Sequence, residues 1–198
     1  NESYRFISGL RNWPWLLKNG IIQTTADITT GTASVNAGGT TITLSAGPAV
    51  SVATDYMIQF SNDSDNWYTI TSHTAGATEA TITPAFVGTT NYDAGSYIIR
   101  RVFYSLASDA DKIINMREAI NDVMLSYVDP REFDRTIPDP TATAAVPYIY
   151  SLLGFDTSRQ WRAYFYPIPS AVNNIAYRYY LKITDLSDND DIPLMPET

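Results

Sequence analysis

Side chains able to do acid–base, nucleophilic or metal chemistry are scarce in this chain. There is one histidine, His73, and no cysteine among 198 residues. A Ser-His-Asp triad would have to use His73, and no nucleophile-elbow sequence surrounds it. The plainer reading is a surface or half-buried histidine in a strand–turn context. A lone histidine rules out multi-histidine metal sites within one chain, and the lack of cysteine excludes disulfides and thiolate ligands. No G-x-x-x-x-G-K-[ST] or G-x-G-x-x-G run is present to cradle a nucleotide phosphate.

Carboxylates give no stronger signal. The cluster Asn62-Asp63-Ser64-Asp65-Asn66 has the composition of a calcium loop. An EF-hand loop needs glycine at its sixth position and glutamate at its twelfth. Counted from Asp63, those positions hold Tyr68 and Thr74. An Asx-type turn between strands explains the cluster better. Asp188-Asn189-Asp190-Asp191 reads as a solvated acidic loop rather than a metal site. Glu2, Glu79, Glu118, Glu132 and Glu197 are the only glutamates, and none sits in a recognisable glycosidase or hydrolase motif. The expectation is a protein that is not an enzyme, with no catalytic residues, no cofactor and no metal.

Aromatic residues are the other chemical resource, with 14 Tyr, 7 Phe and 4 Trp. An exposed Trp67 or Tyr68 could stack on a sugar, as in carbohydrate-binding modules. Aromatic rings also suit protein interfaces, burying large area while a polar tip stays wet. Most read as ordinary core and sheet residues.

The elements that would position these groups follow from pattern. Residues 2 to about 18 carry Tyr4, Ile7, Leu10 and Leu17 at roughly helical spacing, and Pro14 limits a helix to about Asn12. Asn19-Gly20 reads as a stop. From Ile21 to Tyr104, β-branched runs alternate with turn signals, predicting strands at 21–25, 32–36, 40–44, 56–60, 67–72, 78–83 and 97–104. That spacing predicts a small β-sandwich or β-barrel. Over 111–127, the stripe of Ile113, Met116, Ile120, Val123 and Tyr127 favours a helix by periodicity alone. Asp129-Pro130-Arg131-Glu132 supplies an N-cap, a proline at the first helical position and a capping-box glutamate, predicting a helix from Pro130 to about Arg135. Residues 136–147 read as an extended loop. Strands are predicted at 148–152, 159–166 and 175–183, with Pro167, Pro169 and Asn173-Asn174 turning the last two into a hairpin. The tail, Leu186 to Thr198, reads as extended.

Composition bounds the rest. Apolar residues make up 44% and charged ones 17%, which predicts a globular chain with a sizeable core. The net charge of −8 disfavours general phosphate or DNA binding. No apolar run approaches the roughly 20 residues that span a bilayer, so no membrane association is expected. The first residue is Asn1, and Pro196-Glu197-Thr198 reads as the middle of a segment, as expected of a portion of a longer product.

Several motifs, taken in order, resemble the head-to-tail connector (adaptor, head-completion) proteins of tailed bacteriophages. They are Trp13-Pro14-Trp15-Leu16, Trp67-Tyr68-Thr69-Ile70, Gly95-Ser96-Tyr97, Tyr104-Ser105-Leu106 and Glu132-Phe133-Asp134-Arg135. Then come Arg162-Ala163-Tyr164-Phe165-Tyr166-Pro167-Ile168-Pro169, Tyr177-Arg178-Tyr179-Tyr180 and Asp191-Ile192-Pro193-Leu194-Met195-Pro196. No single motif is diagnostic; their shared order carries the likeness, and together they cover most of the chain. Two positions depart from the pattern: Ala107 follows Leu106 where such proteins often have proline, and Ala145-Val146-Pro147 stands where Gly-x-Pro is common.

The resemblance implies a mainly β fold with a few short helices. An adaptor core sheet would come from 1–22 and 104–198, with a small β-domain inserted at 23–103. It implies two strands, about 112–117 and 122–127, in place of the helix that periodicity favours. It also implies a structural virion protein at the head–tail neck, assembled in the host cytoplasm and acting in genome packaging and ejection. The protein would form a ring of twelve copies docked on the portal protein and would receive a downstream tail or neck protein. DNA would pass through the channel without sequence-specific binding. Expected interface residues are Pro130, Glu132, Phe133 and Arg135 on the helix, and Asp190, Asp191, Ile192, Leu194 and Met195 in the tail. The competing classes are a carbohydrate-binding or adhesion module and a tail-fibre receptor-binding piece.

Overall fold

The computed structural model describes residues 13–137 and 144–183. The expected N-terminal helix and the tail beyond Ile183 lie outside the described residues, as does part of the 136–147 loop. A single 3-10 turn, Pro14–Leu16, precedes β1 (Leu17–Gln23). There follow β2 (Ala33–Val35), β3 (Thr41–Leu44), β4 (Tyr56–Phe60), β5 (Asp63–His73), β6 (Glu79–Thr83), β7 (Tyr92–Gly95) and β8 (Tyr97–Arg101). The chain continues through β9 (Phe103–Ser105), β10 (Ala110–Glu118) and β11 (Val123–Tyr127) to α1 (Pro130–Thr136). It closes with β12 (Ile149–Phe155), β13 (Trp161–Tyr166) and β14 (Asn174–Leu181). The protein is mainly β, with two curled seven-stranded sheets and one α-helix among the described residues.

One sheet runs β7-β2-β3-β6-β5-β4-β8, entirely antiparallel. Its strands alternate as half-buried strands should: in β3, Ile42 and Leu44 are buried while Thr41 and Thr43 face out. The two outermost strands, β7 and β8, are separated in sequence by Ser96 alone. A flat seven-stranded sheet would put its edges about 29 Å apart, at roughly 4.8 Å per strand. One residue cannot bridge that distance, so the sheet curls until its edges meet, as a small barrel does. Gly95 makes the corner possible, since a Cβ there would overlap the Tyr92 ring. Inside, Phe60 contacts Tyr68, Phe86 and Tyr92, with ring centroids 5.6, 5.3 and 5.2 Å away. Those offset and edge-on contacts suit aromatic quadrupoles.

The other sheet runs β1-β14-β10-β11-β12-β13-β9. It is stitched from distant segments: β1 pairs along its whole length with β14, from Leu17 opposite Tyr180 to Gln23 opposite Asn174. Only β11 and β12 run parallel. All seven strands send side chains into one core, among them Ile22, Tyr104, Met116, Leu125, Tyr150, Phe165 and Tyr177. Gly20 faces inward opposite Tyr177, and the tyrosine ring fills the place of its missing side chain. Residues 111–127 form the β10–β11 hairpin. Met116 and Leu125 pair across it and are both buried, so alternation and sheet burial override the helical periodicity of the segment.

Asn19-Gly20 is not a stop, since both residues lie inside β1, and two further expectations need correction. The last two strands are not a hairpin: β13 pairs with β12 and β9, while β14 pairs with β1 and β10. Pro167 and Pro169 cannot donate to a ladder, and Ile168 is drawn into a separate buried cluster with Val102, Phe133, Ile137 and Tyr164. The connection is instead held against the segment between β1 and β2, where Asp27 N donates to Ser170 O at 3.1 Å and Asn173 N to Thr24 Oγ1 at 2.8 Å. The second correction concerns α1. Asp129 caps it by accepting from Arg131 N at 3.0 Å, but Glu132 turns forward to Arg135 and Thr136 rather than back to the cap.

The sheets meet where β8 passes into β9. Val102 N and Phe103 N donate to the Asp55 carbonyl at 2.8 and 3.3 Å. The Asp55 carboxylate takes Arg162 at 2.8 Å and Arg101 at 3.8 Å. Both guanidiniums also lie over rings, Arg162 over Phe103 at 3.9 Å and Arg101 over Tyr104 at 4.6 Å. The joint between the sheets therefore combines a charged and aromatic cluster with apolar packing, in which Met57 of β4 lies against the cluster of Val102, Phe133, Tyr164 and Ile168.

Candidate interaction surfaces

Among the described residues, His73 and Asp63 are the groups singled out for chemistry, and both have partners. His73 ends β5 and is 8% exposed. Its Nδ1 accepts from Val52 N at 3.3 Å and its Nε2 faces Ala77 O at 3.0 Å. An amide can only donate and a carbonyl only accept, so the neutral ring protonated on Nε2 satisfies both. The nearby Ser51 hydroxyl donates to the His73 carbonyl at 2.8 Å and not to the ring, so these two side chains do not pair. Among the described residues, no group of three or more His, Asp or Glu side chains could hold a metal ion.

The acidic cluster around Asp63 belongs to a tight hairpin in which Phe60 pairs with Asp63 across Ser61 and Asn62. One Asp63 oxygen accepts from Asn66 at 2.6 Å and the other from the Tyr68 hydroxyl. Burial, then that carboxylate, push the Tyr68 phenol up to about 12, which keeps it a donor. Neither of the two rings considered for sugar stacking, Trp67 and Tyr68, is fully exposed. Tyr68 is wholly buried in the barrel, and the Arg100 guanidinium lies 5.1 Å over the Trp67 ring. Arg100 is itself fixed by Asp27 through two bonds of 2.9 and 2.6 Å.

The helix divides its four expected interface residues. Phe133 is buried against Tyr164 and Tyr166, with centroids 5.3 and 6.4 Å away, and anchors the helix rather than presenting it. Pro130 is half-buried at the first turn, while Glu132 and Arg135 are exposed and paired at 2.6 Å. The hydrogen bonds from Arg135 and Thr136 hold the Glu132 carboxyl below the usual glutamate range. Asp190, Asp191, Ile192, Leu194 and Met195 lie outside the described residues.

Large exposed apolar side chains concentrate on the sheet that carries the chain ends. The β10–β11 hairpin alone displays Ile114, Ile120, Val123, Met124 and Tyr127. Its turn is rigid. The Glu118 carboxylate, buried, accepts from Ile120 N at 2.9 Å and from Asn121 N at 2.6 Å. Burial pushes this carboxyl up, and the bonds from Asn121 and Ile120 more than reverse the effect, so it lies below the usual range. Farther along, Tyr148 and Phe155 project from the β12 region, with the Phe155 ring tilted against Trp161 at 4.2 Å between centroids.

Two depressions mark this sheet. One, of about 300 Å³, lies where β10 parts from β12 and is lined by Ile113, Tyr127, Leu152 and Trp161. The other, of about 320 Å³, lies on the outer face of β1, β14, β10 and β11. Across it runs one cross-strand row, Ile21–Ala176–Arg117–Met124, flanked by Arg178. Composition and motif reading missed this row because its members are far apart in sequence. The exposed arginine between the buried Tyr177 and Tyr179 was the available signal.

No helix among the described residues is long and apolar enough to cross a membrane. Comparison with known proteins found no matching family model, no matching curated protein and no matching solved structure.

Proposed function

We propose that this chain is a structural virion protein, a head-to-tail adaptor that docks on the portal in the neck of a tailed bacteriophage. Twelve copies form a ring that extends the DNA channel and receives the next tail or neck component. The protein is assembled in the host cytoplasm and serves genome packaging and ejection. The observation that carries this reading is the set of connector-like motifs in their shared order along the sequence.

Many motif residues stand at joints of the fold. Gly95-Ser96-Tyr97 is the corner where the curled sheet meets its own edge, Phe133 anchors the helix, and Arg162 binds the two sheets through Asp55. A sheet with several exposed apolar side chains also suits a protein whose work is assembly. The helix at 130–136 and the segment Asp190–Met195 are the expected contacts with portal or neighbour. With a net charge of −8, an acidic lumen would let DNA slide without the counterion release that makes it adhere. Lumen-facing residues that prove mainly Lys and Arg would sink that low-friction idea.

Immunogold labelling of intact virions tests the placement. Label at the head–tail junction is expected. Label on fibre tips or capsid faces would replace the adaptor with a receptor-binding or decoration protein.

A further inference from the structure

The depression on the outer face of β1, β14, β10 and β11 has a composition unusual for this chain. Acids outnumber cations 21 to 13 overall, yet the residues lining the depression include Arg117 and Arg178 and no carboxylate. Arg117 is held from outside by Asp122 on the hairpin turn, at 2.8 Å. The Arg178 side chain is exposed and makes no hydrogen bond or ion pair among the described residues. Beside the two guanidiniums lie large apolar side chains, Ile21 at 72% and Met124 at 55% exposure. The surface thus offers two cations and an apolar strip within a few strand widths, a pairing suited to a ligand both acidic and apolar.

The sequence contains such a segment. Residues 184–198 hold five acids (Asp185, Asp188, Asp190, Asp191 and Glu197) and no Lys or Arg. The acids at 188, 190 and 191 are followed at once by Ile192, Leu194 and Met195. Eight extended residues reach roughly 26–29 Å, while four strands present a face only about 14 Å across. The segment can therefore lay its acids on the arginines and its apolar residues along Ile21 and Met124.

We infer that this depression is the seat for the Asp188–Met195 segment of a second copy of the chain. The second copy rests on the ring reading above. A groove and a tail are different surfaces of one chain, so their contact is heterologous and propagates from subunit to subunit until a ring closes. The recognition is charge-assisted at one end and apolar at the other.

The test uses the full chain and a fluorescent peptide of residues 184–198. Saturable binding is expected, weakened about tenfold by Arg178→Glu, weakened also by Met124→Ser, and reduced as salt rises. Both positions are exposed, so each variant should keep the wild-type circular dichroism and melting temperature. Peptide bound equally well by both variants, or not at all, overturns the inference. For the second copy, chains carrying Arg178→Glu are mixed with chains carrying Asp188→Asn, Asp190→Asn and Asp191→Asn. Either variant alone should stay monomeric, and the mixture should form pairs, each using one intact groove and one intact tail. No pairing in the mixture, with the wild-type chain monomeric, would give the groove to its own tail and overturn the second copy. Portal binding is read separately: a portal-docked ring that survives both sets of substitutions sinks the groove–tail contact and leaves the adaptor reading standing.

Discussion

The two sheets solve the edge problem in different ways. The one formed by residues 33–101 is built from consecutive chain, curls until β7 meets β8, and fills its interior with four packed rings. Its polar groups look inward as well: Asp63, Tyr68 and His73 all have partners within the same sheet region. The other sheet pairs the first and last described strands, β1 and β14, and leaves Ile21, Met124, Tyr127, Tyr148 and Phe155 exposed. A closed, locally connected unit can stand as an attachment on a larger assembly. An open sheet with apolar faces needs something to cover it. The contrast lies in where large apolar side chains are left exposed, which is mostly on the sheet that holds β1 and β14.

Removing the core of the closed sheet should give the largest effect. Phe60→Ala deletes the ring at the centre of the aromatic cluster and should cost about 3–5 kcal/mol. Urea unfolding followed at Trp67, with the other tryptophans replaced, should shift far more than unfolding followed at Trp161. Equal shifts at both probes would mean that the sheets are one cooperative unit, and the comparison would fail. Asp55→Ala comes next. It leaves Arg162 and Arg101 without their shared carboxylate and should cost about 1.5–3 kcal/mol, while separating the two probes' transitions further. Coincident transitions in this variant would show that the joint couples the sheets through something other than Asp55.

The hairpin turn gives a smaller, pH-dependent effect. The folded-state value of Glu118 is lowered, so its contribution is present above the unfolded value, near 4.5, and is lost as pH falls through the folded one. Hydrogen-exchange protection of the Ile120 and Asn121 amides should therefore drop as the solution is taken below the ordinary glutamate range. Glu118→Gln should flatten that dependence, and a wild-type profile already flat would remove the carboxylate from the account. Smallest of all, Glu132→Gln breaks an exposed pair and should leave the urea midpoint unchanged. A measurable loss would make the helix surface more than a contact in waiting.

Much of the fold was legible in the sequence because alternation and turn signals are local. Ile42 and Leu44 against Thr41 and Thr43 marked a half-buried strand, and Asp129-Pro130 marked the helix start. The β10–β11 hairpin was not legible from periodicity, because Ile113, Met116, Ile120, Val123 and Tyr127 fit a helical stripe as well as a hairpin. Pairing across the sheet decides it, and pairing is non-local. The same limit explains the misplaced hairpin after Tyr166, where turn-like prolines joined strands that have three others between them in the sheet. It also explains the groove, whose row of Ile21, Ala176, Arg117 and Met124 exists only once four strands are in register. Exposure of Trp67 and Tyr68 could not be read either: Arg100 covers one and the barrel encloses the other.

The adaptor reading is tested most directly by mixing the full-length product with the portal protein of the same virus and following sedimentation and negative-stain images. The account predicts a stable coaxial ring seated on the portal. A chain that stays monomeric beside the portal, and that binds glycans instead, would contradict it.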